Sequence, residues 1–570
     1  MLFSEIFAPQ EKPVSAAVLR WRKVLTAAAC FAGGAFYAAA LPPLNLWPLA
    51  GICLLPLFYF VPRKKSLSAV LCGWFWGSGW SVFAFQFLRE IDPAAPWLLA
   101  PVMALWPAVF AGLFKFLSGG ILLMEENLPA KQQPFSRVFL LHLSGAALFV
   151  LLEWTRSRLF TWNDFSVTLW RVPVMLQIAA VTGHYGVNFT VALANASASA
   201  LIIYRKKYAA AIFFGFVVLS AAYGALKLSV PVQQKTFKFS PALIQGNLSQ
   251  RRHASLEQAQ EALDIYTRLS RQLLQEGRKP DVVLWPESAV PIPFYSAYKL
   301  RMTQTTDFGK LAANYQYQVK SLCREFAVPF MIGALDFADA LPGNLNPGAT
   351  NSALYFDQWG VLKAKYDKLH RVPFGEYIPG RSLLPEFIVR YIDMGRDLTP
   401  GRNANPVELS AKVRAGTAIC FEGVFSYVMR NFARRGANVF IVLSNDAWYP
   451  RSSEPEQHLA NAVLRAVENN LVMIRCGNNG GSGVVYPDGT FKIVDPTGKA
   501  PRPELLRGSA AQIIEVDLPK KVQRSFYVRY GEWFIILLSC FCICGFAVSF
   551  RNRHLRHLQD AEDLNKLPIQ

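Results

Sequence analysis

The stretch Gly416-Thr417-Ala418-Ile419-Cys420-Phe421-Glu422 decides our interpretation of the chain. An alternating run over 412–419 leads into it, a helix-like segment over 424–433 follows, and 438–444 has the composition of the next buried strand. This order predicts a strand, a sharp turn, a helix and a second strand, with Cys420 at the turn. Backbone N–H groups at such a helix start lower the pKa of a thiol and hold an oxyanion. A single Cys beside apolar residues is more often an inert buried thiol, so Cys420 needs partners from elsewhere in the chain to be a nucleophile.

The composition predicts a membrane protein that carries an additional globular domain. The chain has 570 residues, too many for one ordinary domain, and 52% of them are apolar. The formal net charge of +20 indicates an anionic partner. The basic residues gather in short clusters between apolar stretches, so we expect phospholipid headgroups as that partner and no nucleic acid. The cysteines show neither a disulfide framework nor a zinc spacing, and we expect no metal and no cofactor.

Apolar stretches in the N-terminal part of the chain have roughly the length needed to cross a bilayer. We predict seven spans there, at about 24–41, 45–61, 67–88, 97–123, 137–153, 183–204 and 208–229. A last apolar run lies at about 533–550. The sequence therefore predicts a membrane domain over 1–235, a separate domain over 236–520, and a C-terminal transmembrane helix with a tail over 521–570.

Clusters of Lys and Arg predict the orientation of these spans. They fall on one side of the predicted bundle, at 20–23, 63–65, 131–137, 205–207 and 551–556. The excess of basic residues on cytoplasmic loops then puts both ends of the chain in the cytoplasm and the 236–520 domain outside. The polar stretch 153–164 is expected to be an outer loop that either binds a lipid headgroup or caps the bundle.

The 236–520 region has the pattern of an α/β domain, with short apolar runs separated by polar helical stretches. We predict strands at 240–245, 282–285, 329–334, 353–356, 415–420, 439–443, 472–476, 483–486 and 512–516. We predict helices at 255–276, 311–325 and 457–468.

Three chemically complementary residues lie at or near the ends of these predicted strands: Glu287, Lys368 and Cys420. A carboxylate that removes a proton, an ammonium that stabilises an oxyanion and a thiol that attacks are the parts that acyl transfer needs. Taken singly, Glu287 is also typical of a helix-start carboxylate and Lys368 of a solvated surface lysine. The residue types alone therefore leave the triad a hypothesis.

Four motifs carry a resemblance to the nitrilase superfamily. They are Trp285-Pro286-Glu287, Tyr366-Asp367-Lys368 with Val372-Pro373-Phe374-Gly375-Glu376, Ile419-Cys420-Phe421-Glu422, and Ser444-Asn445-Asp446-Ala447-Trp448. Joined to the N-terminal spans, the Leu41-Pro42-Pro43 turn and the C-terminal span, they make the chain similar to the apolipoprotein N-acyltransferase family.

This resemblance implies a four-layer α-β-β-α sandwich on the periplasmic face of a bacterial inner membrane. It implies Glu287 as the general base, Lys368 as the oxyanion-stabilising residue and Cys420 as the nucleophile. The residues with supporting roles near the site map onto Asn351, Glu376, Phe421 and Glu422. The family often has Tyr directly after the nucleophile, so Phe421 lacks a hydroxyl while its backbone N–H remains.

The function that the resemblance implies is transfer of an acyl chain from a membrane phospholipid, through a thioester on Cys420, to a diacylglyceryl-prolipoprotein. We expect the enzyme to act as a monomer. The alternative is a membrane-tethered amidase or nitrilase that hydrolyses a C–N bond of a small substrate with the same residues. A third alternative is a non-enzymatic lipid-binding or transport protein with a vestigial domain.

Overall fold

The computed structural model describes residues 15–122, 129–230, 235–250, 255–294, 306–338, 348–392, 397–449, 451–495 and 508–565. The chain forms two compact units. One is built from the two ends of the chain, up to Ser229 and from Glu532 onward, and the other runs from Val230 to Gly531.

Helices occur in both units, and we number them in chain order over the described residues. They are α1 (Ala16–Ala40), α2 (Leu55–Phe60), α3 (Ser66–Ala84), α4 (Ala95–Met103), α5 (Leu105–Ile121), α6 (Phe135–Leu159), α7 (Pro173–Leu176), α8 (Ala179–Thr182), α9 (His184–Ile202), α10 (Lys207–Ser229), α11 (Leu256–Gln275), α12 (Asp307–Phe326), α13 (Glu386–Ile392), α14 (Ser426–Arg434), α15 (Glu454–Asn469), α16 (Phe526–Tyr530) and α17 (Trp533–Asn565).

The strands lie in the second unit. They are β1 (Thr236–Phe239), β2 (Pro241–Gln245), β3 (Val282–Pro293), β4 (Phe330–Phe337), β5 (Ala349–Phe356), β6 (Leu362–Asp367), β7 (Val407–Ser410), β8 (Val413–Ile419), β9 (Val439–Ser444), β10 (Met473–Gly477), β11 (Gly483–Val485), β12 (Phe491–Ile493), β13 (Ala510–Ile513) and β14 (Val516–Pro519).

The first unit is helical and apolar. Among its described residues, five helical segments are long and apolar enough to cross a membrane: Ala16–Ala40, Ala95–Ile121, Phe135–Leu159, Lys207–Ser229 and Trp533–Gln559. The predicted spans at 67–88 and 183–204 correspond to the 19-residue helices α3 and α9. The number of helices that cross the membrane stays a prediction.

The polar stretch expected as an outer loop differs from our expectation. Its first part continues α6 to Leu159, and within this helix Glu153 pairs with Arg156 at 2.6 Å between Oε2 and Nη2. Both side chains are buried. A single buried charge would be costly in an apolar surrounding, and here each charge is neutralised by the other. Binding of a lipid headgroup by this stretch stays a prediction.

The second unit has two six-stranded sheets. One has the order β13-β2-β3-β4-β5-β6 and the other β12-β11-β10-β9-β8-β7. The sheets face each other through β2, β3, β9 and β10, while α11 and α12 cover the first sheet and α14 covers the second. The predicted α/β fold, an α-β-β-α sandwich of four layers, is confirmed.

The last two strands of the second unit pair with its first two strands. β13 pairs antiparallel with β2 at the edge of the first sheet, and β14 pairs antiparallel with β1, where Thr236 lies opposite Pro519. The first and last strands of the second unit therefore lie side by side in one two-stranded sheet.

Local chemistry explains why the main elements begin where they do. Ser255 and Gln258 form a capping box at the start of α11, and the Thr306 side chain accepts a hydrogen bond from Gly309 at the start of α12. Every residue of β9 is buried, as expected for a strand paired in parallel on both sides. The core between the first sheet and its helices includes Trp285, which stacks on Tyr266.

One strand is longer than the sequence predicts. β3 was expected to end at Trp285 but continues to Pro293, with shifts of register against β4 after Trp285. Ser288 has a φ of 56° within this irregular part. Irregularities of this kind re-aim side chains next to functional sites, and here the neighbouring side chain is Glu287.

Candidate active site

The carboxyl ends of parallel strands meet at one edge of a sheet, and this edge gathers the polar residues that the sequence singled out. Glu287 lies in β3, where the pairing with β4 is irregular. Lys368 directly follows β6, and its backbone N–H donates to the carbonyl of Asn351 near the start of β5 at 2.9 Å. Because β5 runs antiparallel to both β4 and β6, its start lies at the same edge as the end of β6.

These residues form one hydrogen-bonded network. Lys368 Nζ lies 3.1 Å from Glu287 Oε1 and 3.0 Å from Glu376 Oε1. The side-chain amide of Asn351 donates to the same two oxygens, at 2.8 Å each. The second oxygen of Glu376 accepts from the backbone N–H of Val372 at 2.7 Å. The two carboxylates are therefore held in fixed orientation around one ammonium group.

Lys368 is 1% exposed. Although burial by itself lowers the pKa of an ammonium group, the negative charges of Glu287 and Glu376 raise the pKa of Lys368 above its ordinary value. Lys368 therefore stays protonated and can donate to a developing oxyanion.

Cys420 lies in the sharp turn that the sequence predicts after β8. It has a φ of 52°, in the left-handed region, and begins a short 3₁₀ segment, Cys420–Val424. Non-glycine residues rarely adopt this conformation unless their surroundings enforce it. The turn separates Cys420 from the regular part of β8 and leaves the backbone N–H of Phe421 in the first turn of the 3₁₀ segment.

The thiol differs from our expectation of a lowered pKa. Burial and the negative charge of Glu287 raise the pKa of Cys420, and these effects outweigh Lys368 and a hydrogen bond from the backbone of Asn445, which lower it. The Cys420 thiol is therefore protonated at rest. A protonated thiol can attack only after a base removes its proton, and the negative charge of Glu287 acts on the Cys420 thiol.

Glu422 links the segments that carry Lys368 and Cys420. Its Oε1 accepts from the backbone N–H of Leu369 at 2.8 Å, and its Oε2 accepts from that of Ile419 at 3.1 Å. Burial raises the pKa of Glu422 to about 7, against these hydrogen bonds, which lower it. Glu422 thus supports the site through backbone contacts on both sides.

An aromatic cluster lies behind the turn. Phe421 packs edge-on against Phe425, with ring centroids 5.1 Å apart, and Phe425 stacks on His370 at 4.1 Å. The hydroxyl of Tyr427 is hydrogen-bonded to Nε2 of His370. Burial and the charge of Lys368 lower the pKa of His370 to about 4.

Sequence reasoning missed a buried charged cluster near the turn. Nδ1 of His458 lies 2.9 Å from Oδ1 of Asp446 and 3.8 Å from Oε1 of Glu454. The three side chains have the donor types of a metal site. Arg475 Nη2 lies 3.5 Å from Oδ2 of Asp446, so a guanidinium already supplies positive charge to this cluster.

The structure thus brings together all of the residues that the sequence singled out. They are Glu287, Asn351, Lys368, Glu376, Cys420, Phe421 and Glu422. The site holds a carboxylate, a fixed cation and a thiol whose charges act on one another, and the backbone N–H of Phe421 directly follows the thiol in the chain. These are the parts that a nucleophilic acyl transfer needs.

Comparisons with known proteins cover both units. The family model described as the apolipoprotein N-acyltransferase N-terminal domain matches residues 33–197, and the carbon-nitrogen hydrolase model matches residues 242–503. An apolipoprotein N-acyltransferase of Geobacter metallireducens is 30% identical over 555 residues, which cover 92% of this chain and 95% of the relative. The protein of that name from Allorhizobium ampelinum is 29% identical over 83% of this chain and 87% of the relative.

Solved structures are similar to about half of the chain. The crystal structure of an amidase from Nesterenkonia sp. is 18% identical and has a TM-score of 0.32. The match covers 51% of this chain and 92% of the amidase chain.

Proposed function

This chain belongs to the apolipoprotein N-acyltransferase family and acts in lipoprotein N-acylation, and from that premise we propose a mechanism on Cys420. The acyl chain comes from a membrane phospholipid and passes through a thioester on Cys420. It ends on the N-terminal amine of an S-diacylglyceryl-cysteine in an apolipoprotein. Glu287 is the base and Lys368 the oxyanion-stabilising residue.

In the first half of the reaction Cys420 becomes acylated. Glu287 takes the thiol proton while the sulfur attacks the ester carbonyl carbon of the phospholipid. Lys368 and the backbone N–H of Phe421 donate to the tetrahedral oxyanion. As the oxyanion collapses, the ester C–O bond breaks, and Glu287 returns the proton to the departing lysophospholipid.

In the second half the acyl group moves to nitrogen. The lipoprotein amine attacks the thioester carbonyl, and Glu287 accepts one of its protons. The C–S bond then breaks, an amide forms, and the proton of Glu287 returns to the Cys420 sulfur. Charge and atoms balance without any further reactant.

The contact of 3.1 Å between Lys368 and Glu287 is the observation that supports this proposal most directly. An ammonium that is charge-balanced by two carboxylates can donate to an oxyanion without moving, because its partners already fix it. The neighbouring thiol is protonated at rest, so its attack requires a base, and we assign this role to Glu287, whose charge acts on the thiol.

We place the catalytic unit on the periplasmic side of a bacterial inner membrane, with a single chain as the active species. The basic clusters at 63–65 and 205–207 argue for this topology, because basic loops remain in the cytoplasm. A reporter enzyme that is active only in the periplasm, fused after Ser229, tests the orientation, and inactivity of the fusion contradicts it.

Intact-protein mass spectrometry of the full chain in phospholipid micelles tests the proposed chemistry. Wild type should gain the mass of one acyl chain as a hydroxylamine-labile adduct, whereas Cys420→Ala should not. The adduct should disappear when a diacylglyceryl-cysteine peptide is added. No adduct, together with turnover of a soluble amide, would overturn the transferase and favour the membrane-tethered hydrolase.

A further inference from the structure

Helix α15 is buried along its whole length, and several of its buried side chains are polar or charged. His458, Arg465 and Glu468 are at most 1% exposed, and their spacing puts them on one side of the helix. We call these three residues the brace. Burying charged groups is costly unless each is paired, so a fully buried row of them needs contacts that compensate.

The C-terminal half of the brace contacts the chain after the nucleophile. Arg465 Nη1 donates to the carbonyl of Val424 at 3.0 Å, and its Nε lies 3.2 Å from Glu468 Oε1. The hydroxyl of Ser426 donates to the same Glu468 oxygen at 2.7 Å. The Arg465–Glu468 ion pair therefore contacts the chain at two nearby residues, Val424 and Ser426.

The N-terminal half of the brace contacts the nucleophile itself. His458 lies close to the backbone of Cys420, and its Nδ1 lies 2.9 Å from Asp446 Oδ1. Asp446 follows β9, the strand that pairs in parallel with β8. The segment 420–426 is thus contacted along its length, with His458 at Cys420 and Arg465 at Val424.

We propose that Arg465 is a positioning residue for Cys420, which it serves by fixing the chain at Val424 while Glu468 fixes Ser426. This inference rests on the proposed function, because it assigns Arg465 to the acylation step. The left-handed backbone of Cys420 is unfavourable on its own. Loss of the contact at Val424 lets the turn relax and moves the sulfur away from the acyl carbonyl, and a displacement of about 1 Å costs roughly 100-fold in rate.

Replacement of Arg465 alone does not separate positioning from folding, because it leaves Glu468 buried and unpaired. The double variant R465M/E468Q removes the unpaired charge and keeps an oxygen that accepts from Ser426. It restores the thermal stability lost in R465M, whereas the contact at Val424 remains absent. We expect thioester formation from phospholipid to be roughly 10- to 100-fold slower than wild type in both variants. The KM for the phospholipid should be unchanged, because Arg465 contacts no substrate.

Asn461→Ala is the matched control. Asn461 is 4% exposed on the same helix, and its amide donates to the carbonyl of Gln457 in that helix. We expect N461A to lose stability but to form the thioester at the wild-type rate per folded molecule. R465K, which keeps a cationic donor, should recover part of the rate.

The outcomes separate this inference from the proposed function. If R465M/E468Q recovers both its stability and the wild-type acylation rate, Arg465 is structural only and the positioning role is wrong. If wild type itself forms no acyl adduct under the same conditions, the proposed function fails, whatever the variants do.

Discussion

Lys368 Nζ lies 3.1 Å from Glu287 Oε1 although 81 positions of sequence separate the two residues. The negative charges of Glu287 and Glu376 raise the pKa of Lys368, so the ammonium is protonated at rest. Burial, together with the charge of Glu287, raises the pKa of Cys420, so the thiol keeps its proton. Replacement of any one of these groups therefore changes the electrostatic surroundings of the other two.

Replacement of Lys368 by Met should abolish most of the activity. The oxyanion loses a charged donor, so we expect thioester formation to fall by about 100- to 1,000-fold. The buried carboxylate of Glu287 and the partly buried one of Glu376 also lose their cation, which should lower stability by about 3 kcal/mol or more. Thermal unfolding and mass spectrometry of the adduct measure the two effects. Lys310→Met, at a side chain 66% exposed, is the control, and equal losses in both variants would contradict the role of Lys368.

Gly333→Ala should displace Glu287, the base in our proposal. A Cβ built on Gly333 of β4 lies 2.2 Å from the carbonyl oxygen of Pro286 and 2.7 Å from Cα of Glu287, closer than atoms can approach. The backbone of β3 must shift, which we expect to cost about 1–3 kcal/mol and to slow acylation at least about tenfold. Gly215→Ala, with no atom within 4 Å of its Cβ, should do neither. An active, stable G333A would show that the site tolerates movement of Glu287.

His370 should make the enzyme sensitive to acid. Its pKa is lowered from 6.5 to about 4 in the folded state, so between these values the unfolded chain binds more protons. Above pH 6.5, the pKa of His370 in the unfolded chain, this group does not reduce the free energy of unfolding. As the pH falls toward 4, protonation of His370 in the unfolded chain lowers the free energy of unfolding. His370→Phe keeps the stack on Phe425 and removes the titration, so its melting temperature should fall less than that of wild type on acidification. Exposed His557 provides the control H557F; equal slopes in wild type and H370F would refute the assignment.

Phe425→Ala should leave a cavity under the nucleophile turn. Phe425 is 2% exposed and contacts both Phe421 and His370. We expect a loss of about 3–5 kcal/mol in the free energy of unfolding, from the lost burial and the cavity. Phe308→Ala, at a side chain 45% exposed, should cost far less. A melting temperature of F425A close to that of F308A would mean that the turn does not depend on this cluster.

The sequence predicted the strands that carry the site because their signals are local. Val439–Ser444 is a short, almost wholly apolar run with no competing interpretation. The run before Cys420 was expected to alternate, whereas β8 is buried at every position except Arg414. The irregular continuation of β3 past Glu287 was not predictable, since Pro286 and Ser288 have no pattern that favours a strand.

The buried polar face of α15 was not predictable for a different reason. Polar residues at helical spacing normally indicate the solvent side of a helix, and His458, Arg465 and Glu468 follow that pattern. Only the contacts with Cys420, Val424 and Ser426 show that this face points inward. In the same way, Glu153 and Arg156 were expected in a loop, although their ion pair is formed within α6.

Strands β13 and β14 are synthesised after all of the residues of the candidate site. Until residues 510–519 have been synthesised, β2 has an open edge and β1 has no partner strand, because β13 pairs with β2 and β14 pairs with β1. An open edge invites pairing with other chains. A nascent chain arrested before Ala510 therefore exposes an unpaired sheet edge, which favours aggregation over completion of the fold that holds the candidate site.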